Sequence, residues 1–211
     1  FEPVIQGTFL RVNLAIAGAG GSGIPAVVDL NPHLDYLETS IPQAERDRSL
    51  GDPRGIVWSA DGSVGYVSGM GSNNVVIIDG SGARAGAGTL EVGEGPTGLI
   101  LDEARSRLYV LNRFGGSISV IDTANHIVVD TVPFFDPTPA AIRVGRKHLY
   151  DTHANSGLGQ IACASCHIDA RMDRLSWDLG DPAGSPDAVN ALTHNLGAGV
   201  PLLVSGPLVD A

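Results

Sequence analysis

The sequence predicts a mainly β fold built from repeated four-stranded units, and three observations support this. Two consecutive segments align at a constant offset of 43 residues, which pairs Gly55 with Gly98, Tyr66 with Tyr109, and Asp79 with Asp122. Within each segment, short apolar runs alternate with polar or glycine-containing turns, as expected for strands and hairpins. The chain also holds 28 glycines and 13 prolines among 211 residues, which disfavours a helical bundle.

Each aligned segment contains the same series of predicted elements. An apolar strand is followed by a polar turn (60–63 or 102–107), a strand ending in Gly-Tyr-Val or Leu-Tyr-Val, a second turn, and an alternating apolar strand ending in aspartate. A fourth strand follows in AGTLEVG and in HIVVDTVPF. Four short antiparallel strands per repeat of about 40 to 45 residues are typical of a β-propeller blade. We therefore predict β-propeller blades over residues 51–147.

A third copy is predicted to begin in TPAAIRVGRKHLYDT, because Ala141 lies 43 residues after Gly98. The pattern stops before its third strand. The predicted fold is therefore a partial β-propeller of two full blades and the start of a third, followed at residues 148–211 by a small segment of loops and helix. Propellers close with about four to eight blades. We expect the remaining blades to come from a longer polypeptide or from other chains in an oligomer.

The first 50 residues are predicted to form N-terminal strands and a connector. The runs FLRVNLAIAG and GIPAVVDL predict strands, and the polar stretch that follows them predicts a linker with one helical turn.

Composition disfavours several classes of partner. The net charge is −10, with 23 acidic and 13 basic residues, which disfavours binding to nucleic acid or to an anionic membrane surface. No stretch approaches the roughly 18 uninterrupted apolar residues of a membrane-spanning helix. A cationic protein is the partner that this charge favours.

Both cysteines of the chain lie in one motif, Cys163-Ala-Ser-Cys166-His167. Cys-x-x-Cys-His is the attachment pattern of a c-type haem: the two thiols bind the porphyrin, and the adjacent imidazole coordinates the iron. A redox dithiol normally lies in a βαβ unit, and the sequence around this motif does not predict one. A zinc site would need two further ligands at close spacing. A structural disulfide is the remaining alternative. We expect one covalently bound haem c, with His167 as its proximal ligand.

The stretch GRKHLYDTHANSGLGQIACASCHIDARMDRLSWDLGDPAG resembles the first haem segment of the bacterial dihaem cytochrome c peroxidase superfamily. That segment carries Leu-Phe/Tyr-Asp, a Ser-Gly turn and Ile-Ser-Cys-Ala-x-Cys-His, matched here by residues 149–151, 156–157 and 161–167. The repeats before it resemble Tyr-Val-Thr-Asn-type propellers, and the resemblance covers roughly residues 50–185. It implies a periplasmic or surface-associated bacterial cytochrome. Members of the superfamily use two haems, whereas this chain has one attachment motif.

Other residues near the motif are candidate haem contacts. His194 is the candidate distal ligand, and Trp177 is expected to pack on the haem or relay electrons. Arg171 and Arg174 are candidates to pair with the haem propionates, because guanidinium matches a carboxylate with two parallel hydrogen bonds; the alternative is that both are solvated surface charges.

For the remaining candidates near the motif we favour simpler roles. Met172 is expected to pack, and His153 to pack rather than coordinate iron. An acidic cluster could take calcium, but solvated carboxylates are favoured for its members, Asp169, Asp173, Asp178 and Asp181.

Three functions follow from these predictions. The favoured one is electron transfer through a single haem on a propeller scaffold. The first alternative is part of a peroxidase-like enzyme that reduces hydrogen peroxide, with the second haem supplied from elsewhere. The second alternative is a propeller binding module in which the haem is structural. Thioether attachment implies maturation after export, so we expect a periplasmic or extracellular location.

Overall fold

A computed structural model describes residues 10–18, 24–167 and 171, together with the backbone of 176–178, 194–195, 201–202 and 208–210. Contacts divide the chain into two units. The larger unit comprises Arg11–Leu34 and Ser40–Ser165, and the smaller comprises Phe1–Leu10, Asp35–Thr39 and Cys166–Ala211.

A short hairpin begins the larger unit. Strands β1 (Asn13–Ile16) and β2 (Ala26–Asp29) pair antiparallel. The connector after them holds one helical turn, α1 (Gln43–Arg46). These elements confirm the predicted strands and the helical turn.

Two four-stranded antiparallel sheets follow, each with its strands in sequential order. The first blade is β3 (Pro53–Trp58), β4 (Val64–Gly69), β5 (Asn74–Asp79) and β6 (Arg84–Glu91). The second blade is β7 (Pro96–Asp102), β8 (Arg107–Asn112), β9 (Ser117–Asp122) and β10 (Ile127–Pro133), with a 3-10 turn at Glu103–Arg105. Every strand of the second blade begins 43 residues after its counterpart in the first. The mainly β fold with two propeller-type blades is thus confirmed.

The first blade is buried on both faces because its strands alternate apolar side chains between two cores. In β5, Val75 and Ile77 face the second blade, whereas Val76 and Ile78 face the β1–β2 hairpin. The core between the blades contains Tyr66, Val75, Ile77, Leu90, Leu108, Val110 and Ile121. The core beneath the hairpin contains Val12, Leu30, Leu50, Val67, Val76 and Ile78.

The second blade is buried on one face only. Leu108 and Val110 are fully buried against the first blade, whereas Ile100 on the opposite face is 69% exposed. Strand β10 is exposed along its whole length.

The third copy predicted from Ala141 is wrong: this stretch is a helix, α2 (Ala140–Tyr150). Ala141 lies 43 residues after Gly98, as the repeat predicts, but the stretch lacks the polar turn and the alternating apolar residues of the two earlier copies. It contains Ala, Arg, Lys and Leu, which favour helix, and Pro139 precedes the first helical residue, where its missing N–H costs nothing. Helix α2 is attached to the second blade by Arg146, which donates to the Phe114 carbonyl (3.1 Å) and lies 5.0 Å from the Phe114 ring centre.

Two short helices follow α2, namely α3 (Thr152–Asn155) and α4 (Cys163–Cys166). In the smaller unit, β11 (Ser176–Asp178) pairs with β14 (Leu208–Asp210), and β12 (His194–Asn195) pairs with β13 (Pro201–Leu202). Within the described residues, no helix has the length and apolar character needed to cross a membrane.

Candidate functional site

Residues 151–165, which we call the anchored segment, return from the second blade to pack on the first. Its first contact is made by Thr152, which is fully buried and donates its backbone N–H to the carbonyl of Gly71 (2.9 Å). A methyl group at Gly71 would lie 2.7 Å from Thr152 Cγ2, and one at Gly51 would overlap the Thr152 side chain. The anchored segment therefore depends on two glycines of the first blade and its connector.

Ser49, in the connector before the first blade, forms the second contact. Its hydroxyl donates to the Leu158 carbonyl (2.7 Å), and its own carbonyl lies 2.9 Å from His153 Nε2. A carbonyl can only accept, so this nitrogen carries the proton. His153 Nδ1 faces the Asp47 carboxylate at 3.8 Å. Both ring nitrogens of His153 thus face partners within the larger unit, in agreement with a packing role.

The loop between α3 and α4 is fixed by its own polar groups. The Ser156 hydroxyl accepts from the backbone N–H groups of Gly159 (2.9 Å) and Ile161 (3.4 Å). Gly159 has a φ of +78°, and a Cβ there would lie 2.7 Å from the Arg46 carbonyl oxygen. Only glycine combines this backbone conformation with this close approach. The loop consequently reaches the cysteine motif along a defined path.

The two cysteines begin and end a single helical turn. Cys163 is exposed and Cys166 is half-buried, and no disulfide forms at either of these two described residues. Ala164, between them, is fully buried. His167, which follows the turn, is exposed. The turn therefore directs Cys163 outward while its neighbour Ala164 faces the protein.

Ser165 connects this turn to the first blade. Its hydroxyl accepts from the backbone N–H of Ala162 (3.0 Å) and donates to Asp52 Oδ1 (2.7 Å). Asp52 lies directly before β3, so the hydrogen bond joins the turn to the start of the blade.

The Asp52 carboxylate is held in an unfavourable environment. Burial raises its pKa above the ordinary value for aspartate, and the Ser165 hydrogen bond and the charge of Arg54 only partly oppose this effect. Its Oδ2 atom is buried without a hydrogen-bond partner. Its backbone φ is +46°, in the left-handed region that residues other than glycine rarely adopt.

The other predicted haem contacts belong to the smaller unit. Arg171 is exposed. Trp177 lies in β11 opposite Val209, and His194 lies in β12 opposite Leu202; only their backbone is described. The roles assigned to these residues stay predictions.

The remaining candidates lie outside the described residues, apart from the backbone of Asp178. They are Met172, Arg174 and the acidic cluster Asp169, Asp173, Asp178 and Asp181. In the part of the chain that is described, no group of three or more His, Cys, Asp or Glu side chains is arranged to hold a metal ion.

A solvent-open cavity of about 350 Å³ lies beside the anchored segment. Its walls include the carboxylates of Asp47, Glu91 and Asp151, with His153 at one side. These walls are mostly polar, so the cavity does not match the apolar face of a porphyrin.

Nothing in the sequence alone marks Asp52, Ser165 or Thr152 as parts of this arrangement. Asp52 and Ser165 are 113 positions apart, so no local pattern links them. The sequence does place a small residue, Ala164, and a polar residue, Ser165, between the two cysteines. These residue types are consistent with a turn that packs against other backbone.

Comparisons with known proteins give only distant similarities. No protein-family model matches the chain, and no curated protein matches it. Hydrazine synthase from Kuenenia stuttgartiensis is 25% identical over 42% of this chain and 25% of that chain, with a TM-score of 0.38. Virginiamycin B lyase from Staphylococcus aureus is 17% identical over 61% of this chain and 36% of that chain, with a TM-score of 0.40. A functionally unknown protein from Desulfotomaculum acetoxidans is 22% identical over 40% and 29% of the two chains, with a TM-score of 0.35.

The matched regions thus span between a quarter and just over a third of these three proteins. At these TM-scores, none of the three similarities carries an argument about the activity of this chain.

Proposed function

We propose that this chain carries one covalently bound haem c and serves in electron transfer, with Cys163 and Cys166 as attachment residues and His167 as the proximal iron ligand. The observation that carries the proposal is the Cys-x-x-Cys-His motif. Its two thiols lie at the ends of one helical turn and are not joined in a disulfide.

The donor set fits the chemistry of attachment. Cys163 and Cys166 would hold the haem through thioether bonds, each by addition of S–H across one vinyl group, which would need no oxidant and release no leaving group. Both Cys163 and His167 are exposed, which leaves a thiol and an imidazole accessible to a large planar molecule. When bound, a haem supplies one-electron chemistry between its ferrous and ferric states.

The protein's own contribution is to hold the turn. The anchored segment fixes the residues before Cys163 through Thr152, Ser156 and Ser165, so the thiol is carried by ordered backbone. Rigid placement of a cofactor lowers the reorganisation that accompanies electron transfer. The net charge of −10 favours a cationic redox partner. Maturation after export supports a periplasmic or extracellular location for the protein.

Further blades are part of the same proposal. By the 43-residue offset, Ile100, Tyr109 and Val120 of the second blade correspond to Val57, Tyr66 and Ile77 of the first, which pack against the second blade. A sheet of the same repeat, from another chain or another segment, would cover the face that Ile100 now exposes.

The test is to express the full chain in a bacterial host with haem-attachment machinery and to measure haem that survives denaturation. We expect one haem per chain. The Cys163→Ser and Cys166→Ser variants should each retain at most one thioether, and the double variant none. His167→Ala should lose the native iron spectrum, whereas His148→Ala, which removes an exposed histidine of α2, should keep it. Wild-type protein without covalent haem, in a host that matures another c-type cytochrome, would overturn the proposal.

The same preparation separates electron transfer from the peroxidase alternative. We expect a low-spin, six-coordinate iron whose absorption and electron paramagnetic resonance spectra do not change with hydrogen peroxide. A high-spin iron that reacts with peroxide would assign the chain to the peroxidase-like class instead.

A further inference from the structure

We propose that Asp52 is a positioning residue for the thiol-bearing turn: by accepting the hydrogen bond of Ser165, it fixes the orientation in which the first blade presents Cys163. The identity of the ligand that binds Cys163 rests on the proposed function, whereas the positioning role of Asp52 does not.

The first support is geometric. The residues on either side of Cys163 are directed inward, since Ala162 is 5% exposed and Ala164 is fully buried. Ser165 then closes the turn through its 3.0 Å contact with the Ala162 N–H and continues to Asp52 at 2.7 Å. Cys163 is left as the outward-facing residue of this stretch. Removal of the Asp52 contact would leave only the Ala162 contact to orient the Ser165 hydroxyl.

The second support is the energetic cost concentrated at Asp52. A positive φ at a residue other than glycine is energetically unfavourable, although aspartate tolerates it better than most residues. A buried carboxylate oxygen without a partner adds a desolvation cost. Costs of this kind persist where the surroundings require a particular residue, and the partner that Asp52 contacts here is the turn between the two cysteines.

The third support is that the hydrogen bond is charge-assisted. A hydroxyl that donates to a carboxylate forms a shorter and stronger bond than one between neutral groups, by about twofold in energy. A partly buried bond of this kind is protected from competing water. It can therefore hold a one-turn helix, which has too few internal hydrogen bonds to be stable alone.

Three substitutions separate the contributions of Asp52. Ser165→Ala removes the donor and leaves the Asp52 backbone unchanged. Asp52→Ala removes the acceptor. Asp52→Asn keeps an oxygen acceptor and tolerates the left-handed backbone, so it should rescue the turn. Ser81→Ala is the matched control, because Ser81 also donates to an aspartate, Asp79, at 2.6 Å, but on an exposed turn of the same blade.

The first measurement uses the haem-free full chain and follows amide hydrogen exchange in a peptide spanning residues 160–167. We expect Ser165→Ala and Asp52→Ala to accelerate exchange there by about tenfold or more, since a hydrogen bond to a charged group contributes that much protection. Asp52→Asn should stay within about threefold of wild type, and Ser81→Ala should not change this peptide. Unchanged exchange in both Ser165→Ala and Asp52→Ala would overturn the positioning role.

The second measurement uses haem-loaded protein and counts thioether bonds from the absorption band of the pyridine complex. Ser165→Ala and Asp52→Ala should yield a mixture of singly and doubly attached haem, and Asp52→Asn mainly doubly attached haem. A variant that only lowers global stability would not shift this ratio in soluble folded protein. If wild type binds no haem, the proposed function fails, while the exchange experiment still decides the role of Asp52.

Discussion

The carbonyl oxygen of Gly71 accepts a 2.9 Å hydrogen bond from the backbone N–H of Thr152, which joins the turn between β4 and β5 to the first residue of α3. The Thr152 side chain fills the space that a side chain at position 71 would need. The close packing of the anchored segment on the first blade thus requires that position 71 has no side chain.

Gly71→Ala should therefore destabilise the protein. A Cβ would lie 2.7 Å from Thr152 Cγ2 and 2.8 Å from the Tyr150 carbonyl oxygen, and overpacking of this kind costs about 1 to 3 kcal/mol. Chemical denaturation measures the loss. Gly98→Ala is the control, because its new methyl would meet Leu111 at 3.6 Å, an ordinary contact, and should change stability by less than about 1 kcal/mol. Equal effects of the two substitutions would contradict the packing described here.

Gly145→Ala should stabilise the protein. Gly145 lies inside α2, and nothing is within 4 Å of the position that its Cβ would occupy. Alanine in a helix interior is more favourable than glycine by about 0.5 to 1 kcal/mol. The melting temperature should rise by a few degrees. A fall in the melting temperature would contradict the open helical environment described for Gly145.

The two faces of the second blade should respond differently to truncation. Leu108→Ala removes a fully buried side chain from the core between the blades and should cost about 2 to 5 kcal/mol. Ile100 on the opposite face is 69% exposed, so Ile100→Ala should change the free energy of unfolding by about 0.5 kcal/mol or less in the isolated chain. A large loss from Ile100→Ala at low protein concentration would mean that this face is already covered.

Stability should fall as the pH is lowered through the range in which His33 titrates. Burial lowers the pKa of His33 below its ordinary 6.5, and the charges of Arg84 and Arg48 lower it further. Below pH 6.5 the unfolded chain binds a proton that the folded protein resists, so the free energy of unfolding decreases with falling pH. The slope for one proton is at most about 1.4 kcal/mol per pH unit.

Denaturation of wild type and His33→Gln between pH 7.5 and 5.5 measures this contribution. The glutamine variant should show a shallower dependence over this interval, where carboxylates contribute little. Parallel curves for the two proteins would exclude His33 as the source.

The two blades are predictable from the sequence because each strand is encoded locally. In β5 the sequence shows an apolar run, Val75 to Ile78, bounded by Asn74 and Asp79, which predicts a buried strand; the division of its residues between two cores is a property of the fold. At Ala141 the offset of 43 residues persists, but the apolar runs and polar turns have ended. Spacing alone does not make a strand when the residues between the matched positions favour helix.

The cysteine motif was equally visible in the sequence, but its anchoring was not. A c-type haem needs two thiols at fixed spacing for its thioether bonds and an adjacent imidazole for its iron, so one pentapeptide is enough to predict attachment at Cys163 and Cys166. The contact between Asp52 and Ser165 depends instead on how the chain returns from the second blade to the first. Such a contact is determined by the whole fold, and no property of either residue alone predicts it.

The separation of Asp52 and Ser165 by 113 positions also determines when this hydrogen bond can form. Hairpins such as those of the two blades close within about 1 to 10 microseconds once their residues are available. All eight blade strands lie between Asp52 and Ser165 along the chain, so the hairpins can close locally before these two residues meet. The surface of the first blade is therefore in place when the thiol-bearing turn docks on it.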